Sequence, residues 1–449
     1  MDKLRLTSLD IEITTHCNLQ CSYCYLMNNL IKGREKREDM SDETIDKILD
    51  FIQNYTVPMN SQKHPTIHFY GGEPILRFNK VKYFIEKARE RKILLNWVIF
   101  TNGTVGTSET AKYCKENNIH LVRGLAGCRQ AQDAVRPNTY DKYQEMTKLF
   151  HDERGHRRMT TTPETVKYVA QSIRELVEAG SIGATPMPDY YANWREEDIQ
   201  EFEKQMWEVG KFYIERSLMG KPFYSYFLSR DLACRYTSKV PMSYCAAGKS
   251  LQCISVNGYF YLCHRFVTEP IDSPFCAGHI DEILAGIAKG YGEIVKQRHI
   301  ECEKKLVSDK CMTCEGRYGC EQGCHHSNWK TTGSMSTPSE LACRLHKVQA
   351  KINIELLEPA LKHIEDWWAK GNIRPEAQQY LKRRYSTHGN RIQSNSKRGE
   401  SRSYNNKNVH NNNVRRCNQG TINTSKRRSY LFRISASESG RVKGILIEK

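Results

Sequence analysis

The sequence predicts an α/β fold: a series of βα units, then a cysteine-rich region, then a basic tail. Three observations carry this. Strand-like and helix-like segments alternate six times over residues 8–216. Most of the 17 cysteines crowd either the end of the first strand or residues 234–343. The net charge of +17 is local: residues 381–449 hold 17 Lys/Arg against 3 Asp/Glu, leaving 51 basic against 48 acidic residues elsewhere. With 39% hydrophobic and 27% charged residues, the 449-residue chain has the material for a packed core.

Taken in order, SLDIEITT reads as a strand, and SDETIDKILDFIQNY as a helix with Ser41 at its N-cap and apolar residues at helical spacing. PTIHFY, NWVIFTNG, HLVRGLAG, RRMTTTP and SIGATPMP are further strands. Between and after them, FNKVKYFIEKARER, SETAKYCKENN, YDKYQEMTKLF, TVKYVAQSIRELVEAG and REEDIQEFEKQMWEVGKFYIER read as helices. Six βα units in series predict a parallel sheet or a barrel. No GxGxxG follows the first strand, which argues against a dinucleotide fold. Catalytic groups in such folds gather at the C-terminal strand ends. Residues 1–234 form this first domain, 235–350 a domain organised around metal, and 351–385 a helical segment interrupted at Pro359. Residues 386–449, rich in Asn, Ser, Arg and Lys, read as a disordered tail with no nucleic-acid-binding motif, so a nucleic-acid partner is not expected. No apolar run of roughly 18 residues and no secretory signal is present, which predicts a cytoplasmic protein off the membrane. Cysteines in a reducing compartment point to metal or cluster ligands.

Two motifs sit at strand ends. THCNLQCSYCY places Cys17, Cys21 and Cys24 at C-x3-C-x2-C spacing after the first strand. Three thiolates can hold three irons of a [4Fe–4S] cluster and leave the fourth open to a small molecule. Zinc, with His16 as fourth ligand, fits the same residues. HFYGGEP ends the second strand; its glycines allow close approach to the backbone, and Glu73 could accept from an ammonium group, or the motif is a simple turn. Further on, Cys245 is followed by twelve residues, Gly258, four residues and Cys263. Cys311, Cys314, Cys320 and Cys324 then read C-x2-C-x5-C-x3-C, and Cys343 closes the set. Cys253 is an eighth candidate, enough for two clusters of four ligands or for zinc sites.

The first two motifs together resemble the radical S-adenosylmethionine (SAM) enzymes: Cys17, Cys21, Cys24 and the aromatic Tyr23 match their CxxxCxφC signature, and Gly71, Gly72, Glu73 and Pro74 match their GGEP motif. The resemblance covers about residues 8–220 and implies a partial (β/α)6 barrel. It implies that the open iron chelates SAM, that Gly71 to Glu73 meet its amino group, and that Tyr23 lies near the adenine. Asn102 matches a position near the cofactor. Gly124-Leu125-Ala126-Gly127 departs from the family's SxDG-like turn, so SAM contact there would pass to the backbone or to neighbours such as Arg136. The later cysteines resemble the SPASM domain of peptide-modifying members. By that resemblance Cys245, Cys253, Cys263 and Cys324 hold one auxiliary [4Fe–4S] cluster, and Cys311, Cys314, Cys320 and Cys343 a second.

The resemblance implies hydrogen abstraction from a peptide or protein substrate, with an electron donor such as a flavodoxin or ferredoxin. His264, following Cys263, stands where sulfatase-maturing members carry an acidic base; it is the catalytic candidate, or else a donor to cluster sulfurs. His325 and His326 belong to the same surroundings. The sequence LCHRFV looks more like maturases of ribosomally made peptides, including thioether-forming ones, than like a sulfatase maturase making formylglycine. Only about seven residues precede the first strand, so leader recognition would fall to another surface or to a separate binding protein. A cluster- or zinc-bearing protein with a nucleic-acid-binding tail is the reading from another class.

Overall fold

The structure is a computed structural model, which describes residues 4–26, 37–58, 63–152, 155–219, 221–226, 228–229, 231, 245–248, 250–286, 309–362, 430–436 and 442–448. The first part runs β1 Leu4–Leu6, β2 Ser8–Thr14, α1 Asp42–Tyr55, β3 Thr56–Pro58, β4 Thr66–Gly71, α2 Phe78–Glu90, β5 Asn96–Thr101, α3 Ser108–Glu116 and β6 His120–Arg123. It continues with α4 Arg129–Val135, α5 Tyr140–Leu149, β7 Arg157–Thr161, α6 Val169–Glu178, β8 Ala184–Pro188 and α7 Glu196–Leu218. All six expected strands form, as β2, β4, β5, β6, β7 and β8. Ser41 caps α1, its hydroxyl accepting from Thr44 N at 3.0 Å. The short α4 is an addition, because RQAQDAV carries too weak an apolar period to announce a helix.

The strands β2, β4, β5 and β6 pair in parallel, in chain order. A parallel bridge between Gly124 and Arg158 carries the sequence on to the parallel pair β7–β8. This is the curved, incomplete barrel expected of six βα units. On its other edge the sheet does not stop at β2. β9 Leu251–Ile254 pairs in parallel with β2, and β10 Tyr259–Tyr261 and β11 Cys276–His279 extend it antiparallel. Thr7 and Ser8 both donate their backbone N–H to Ser250 O, at 2.9 and 3.1 Å. The cysteine-rich region thus satisfies the edge that β2 would otherwise leave open.

Apolar residues on one face of β2, β4 and β5 build the core. Leu9, Ile11, Ile13, Ile67, Phe69, Trp97 and Ile99 pack with Ile45, Ile48, Leu49 and Ile52 of α1 and Val81, Phe84, Ile85 and Ala88 of α2. Each such fully buried side chain contributes about 1.5–3 kcal/mol relative to exposure. Cys114 of α3 is buried in this layer, as a small hydrophobe should be.

Farther on lie α8 Ile280–Leu284, α9 Asp309–Met312, α10 His325–Thr332 and α11 Glu340–Ile352. The described chain divides into two compact units, Met1–Val209 with Phe223–Asn353, and Gly210–Pro222 with Ile354–Lys449. Within the segment read from sequence as a disordered tail, β12 Tyr430–Ala436 and β13 Val442–Glu448 pair antiparallel over seven positions. This departs from the expectation for those residues, since YLFRISA and VKGILIE each carry enough β-branched and aromatic residues to form a strand. The rest of that segment, and residues 363–385, lie outside the described residues. No helix among the described residues is long and apolar enough to cross a membrane.

Candidate active site

A strand-end site is built from the tips of β2, β4 and β5. The Cys17–Cys24 loop leaves β2 and is pinned by Thr15 N to Glu38 O (2.9 Å), Ser22 N to Val135 O (3.2 Å) and Cys24 N to Cys21 O (3.0 Å). The tip of β4 docks directly beneath it: Gly72 N donates to Thr14 O and Glu73 N to His16 O, both at 2.8 Å. A Cβ on Gly71 would lie 2.0 Å from Thr14 O, and one on Gly72 2.2 Å from His16 O. Gly71 also has φ +132°, where a side chain is strained. The space in front of the missing Cβ atoms is therefore filled by the cysteine loop's own backbone. Pro74 opens a short 3₁₀ turn, Pro74–Arg77, with Glu73 as its N-cap.

Glu73 is fully buried and already engaged by the protein. Its carboxylate accepts from Ile75 N (3.1 Å), Thr101 Oγ1 (2.8 Å) and Asn102 N (2.7 Å). Burial pushes its pKa up to about 6 in spite of these donors. Its side chain acts as a tie between the tips of β4 and β5. That tie places Asn102, whose Nδ2 donates to Asn18 Oδ1 at 2.9 Å and lies 3.9 Å from Cys17 Sγ. Burial likewise pushes the Cys17 thiol up to about 11, with Glu73, Cys21 and Cys24 adding to the effect from close by. Arg136 donates Nε to Cys21 Sγ (3.2 Å) and Nη1 to Gly124 O (2.7 Å), and lies 5.5 Å from the Tyr23 ring centroid. Burial works against its charge, but Tyr23 and Cys21 outweigh that and hold its pKa above the ordinary value. The Gly124–Gly127 turn itself is closed by protein: Ala126 N donates to Gln132 Oε1, and Leu125 and Ala126 are buried.

A polar wall continues below the strand tips. Asp10 on β2 is in register with His68 on β4 and with Cys253 on β9, so the three share a face. Asp10 Oδ1 meets His68 Nδ1 at 2.9 Å, and Oδ2 meets His264 Nδ1 at 2.8 Å. Burial opposes ionisation of Asp10, yet the two imidazoles hold its carboxyl below the ordinary range. Burial pushes the His264 imidazole below its usual value, against the pull of Asp10. The His264 ring stacks on Tyr70 (4.4 Å, 13°), and Tyr70 stacks on Phe100 (4.0 Å, 16°). Arg158 lies 6.0 Å from the Phe100 centroid, and Arg265 lies 4.3 Å from that of Tyr25.

The later cysteines fall into two neighbourhoods. Burial raises the Cys263 thiol, and Cys245 and Cys324 are close enough to add to it. Burial pushes Cys320 up to about 12, with Cys343, Cys314 and Cys311 adding to it. Cys253 is wholly buried in β9 beside Asp10. Among the described residues no three His, Cys, Asp or Glu side chains converge on a single metal ion. The donor set, thiols in groups of three and four, fits clusters in which each thiolate takes its own iron. His326 does not turn to sulfur: Nδ1 meets Tyr191 OH at 2.6 Å and Nε2 meets Glu269 Oε1 at 3.0 Å.

Sequence reading missed Asp10, His68, Tyr70, Phe100 and Arg158. A signal existed. A strand covered on both faces reads as a continuous apolar run, whereas SLDIEITT alternates Leu9, Ile11 and Ile13 with Asp10, Glu12 and Thr14. Acids alternating in a parallel strand mark a polar inner face.

Residues 11–202, which carry the strand-end site, match the family model described as the Radical SAM superfamily. Among particular relatives, the serine-type anaerobic sulfatase-maturating enzyme of Bacteroides thetaiotaomicron is 35% identical over 133 residues, 28% of this chain and 30% of that enzyme. The chain thus spans less than a third of that relative's length. Among solved structures, anSMEcpe with bound AdoMet superposes over 84% of this chain and 98% of that one (TM-score 0.63, 17% identity). Streptococcus suis SuiB bound to the precursor peptide SuiA covers 76% of each chain (TM-score 0.50, 16% identity). Both likenesses are of fold.

Proposed function

We propose that this protein is a radical SAM maturase that removes a hydrogen atom from a residue of a ribosomally made peptide. The observation that carries this reading is the single rim formed by Cys17, Cys21, Asn102 and Arg136, held together through Glu73 and the two glycines. When bound there, a [4Fe–4S] cluster with one open iron supplies the electron that cleaves SAM to methionine and a 5′-deoxyadenosyl radical. Cys17, Cys21 and Cys24 would hold it. Gly71 to Glu73 would offer their peptide groups to SAM's amino group, Tyr23 and Asn102 would flank the nucleoside, and Arg136 would offer its guanidinium in place of the missing turn polar groups. Cys245, Cys253, Cys263 and Cys324, and Cys311, Cys314, Cys320 and Cys343, would hold two auxiliary clusters as electron relays, and a flavodoxin- or ferredoxin-like donor would supply electrons to the protein.

His264 is the candidate base. Donating through Nδ1 to Asp10, it presents its Nε2 lone pair on the other side, away from the carboxylate. The fold shared with SuiB, whose structure holds a precursor peptide, supports a peptide substrate. Formylglycine formation on a sulfatase is the second reading, favoured by the 35% identity with a sulfatase-maturating enzyme. His264 in place of an acid counts against it.

The test is anaerobic reconstitution with iron and sulfide, then dithionite and SAM. The expected result is 5′-deoxyadenosine, with about twelve irons per chain, three clusters of four. Bound zinc, or iron with no SAM cleavage, would remove the proposal.

A further inference from the structure

We infer that the substrate segment entering the barrel carries a carboxylate, gripped by Arg158 and Arg265 against the Phe100–Tyr70–His264 stack. The inference rests on the maturase reading and names the substrate class of the same site.

Residues 157 and 158 form an arginine pair whose members do opposite things. Arg157 is buried and pairs with Asp152 at 2.9 Å. Arg158, the next residue on β7, points to the other face, is exposed, and ends over Phe100. Nearby, Arg123 shows how this fold treats a structural arginine: it is 1% exposed and donates to Thr147 Oγ1, Gly103 O and Tyr143 O. Among the described residues Arg158 has no such partners. Among the described residues neither Arg158 nor Arg265 forms an ion pair; the guanidinium of Arg265 rests between the rings of Tyr25 (4.3 Å) and Tyr191 (5.6 Å).

The acids of this wall are already committed. Asp10 is shared by His68 and His264. Glu12 accepts from Val256 N at 3.1 Å, and Glu73 accepts from three donors at the strand tips. Asp189 accepts from Tyr191 N at 3.0 Å. Arg136 serves the rim, engaged with Cys21 and Gly124. Two guanidinium forks therefore stand near Tyr70 and His264 of the ring stack; among the described residues neither is ion-paired, and Asp189, already accepting from Tyr191 N, is the carboxylate whose charge reaches Arg265. A guanidinium binds a carboxylate through two parallel N–H···O bonds. The rings supply a flat apolar face for the carbon chain that bears the charge. An acidic side chain and a peptide's C-terminal carboxylate offer the same chemistry.

The experiment uses the full-length protein, reconstituted anaerobically with SAM present. It is titrated by fluorescence anisotropy into pools of labelled octapeptides, random except for one central position fixed as Asp or Asn, with the C-terminus free or amidated. At least one acidic pool should bind about tenfold tighter than its neutral counterpart, the scale of one charge-assisted contact. An advantage of Asp over Asn in the amidated pools assigns the side chain; an advantage of the free over the amidated terminus in the Asn pools assigns the terminus. Arg158→Leu should erase the preference and Arg158→Lys should keep part of it, since lysine retains charge without the fork. Equal binding of all pools by the unaltered protein overturns the inference. So does an Arg158→Leu protein that keeps the preference but no longer retains SAM in equilibrium dialysis, because Arg158 would then serve the cofactor. 5′-Deoxyadenosine formation by the unaltered protein is measured alongside. If it fails, the radical reading falls with the inference; if it succeeds while the pools bind alike, the carboxylate inference alone falls.

Discussion

Asp10 and Glu73 show how the carboxyl group is tuned in two directions in one barrel. Asp10 is ionised because two imidazoles compensate for its burial; Glu73 is held at about 6, above its ordinary 4.5, because burial outweighs its three donors. The folded chain thus binds a proton at Glu73 that the unfolded chain has released between those values. The stability contributed by that proton is complete below about pH 4.5 and is lost as pH rises through 6, to the extent of about 2 kcal/mol. Urea unfolding of the metal-free protein from pH 4 to 7 should show this slope, and Glu73→Gln should flatten it. At His264 the expected outcome concerns coupling. His264→Ala should lower peptide modification about 100-fold, the scale of a lost general base, while SAM cleavage uncoupled from substrate continues. An equal fall in both would give His264 a structural role only.

At the scale of elements, the two glycines do more for the chain than a motif match suggests. They let β4 slide under the cysteine loop until Gly72 N and Glu73 N reach Thr14 O and His16 O. Gly72→Ala would drive a methyl group into the His16 carbonyl. It should destabilise the metal-free protein by roughly 3 kcal/mol, seen as a lower urea midpoint, because backbone cannot swing aside as a flexible side chain can. The helices α1 and α3 were legible because a capping residue and an apolar period agree, and α2 through its apolar period alone. α4 was not, and neither was the sealing of the Gly124–Gly127 turn, where Leu125 and Ala126 turn inward. That outcome depends on Gln132 Oε1 and Arg158 O, which accept from Ala126 N and Leu125 N.

For the whole molecule, the barrel and the cysteine-rich region share one sheet. β9 lies against β2, and the residue after Cys263 reaches Asp10 on that strand. The cysteine sets are nonetheless separate groups of thiols. Replacing Cys17, Cys21 and Cys24 together by Ala should abolish 5′-deoxyadenosine formation while about eight of about twelve irons remain, counted by iron analysis of the anaerobic protein. Loss of all iron would mean that the later cysteines hold no clusters of their own.

The sequence by itself determined the six βα units, the cysteine spacings and the strand-end motifs, because each is set by neighbours a few residues apart: a hydrophobic period, a cap, a turn glycine, a ligand spacing. Only the tertiary structure decided that Glu73 is a tie between β4 and β5, that Asp10 meets both His68 and, 254 residues along the chain, His264, and that Arg158 rather than Arg157 lies over Phe100. Those outcomes follow from strand register and sheet order, which pair residues far apart in the chain, and no local pattern of side chains encodes them.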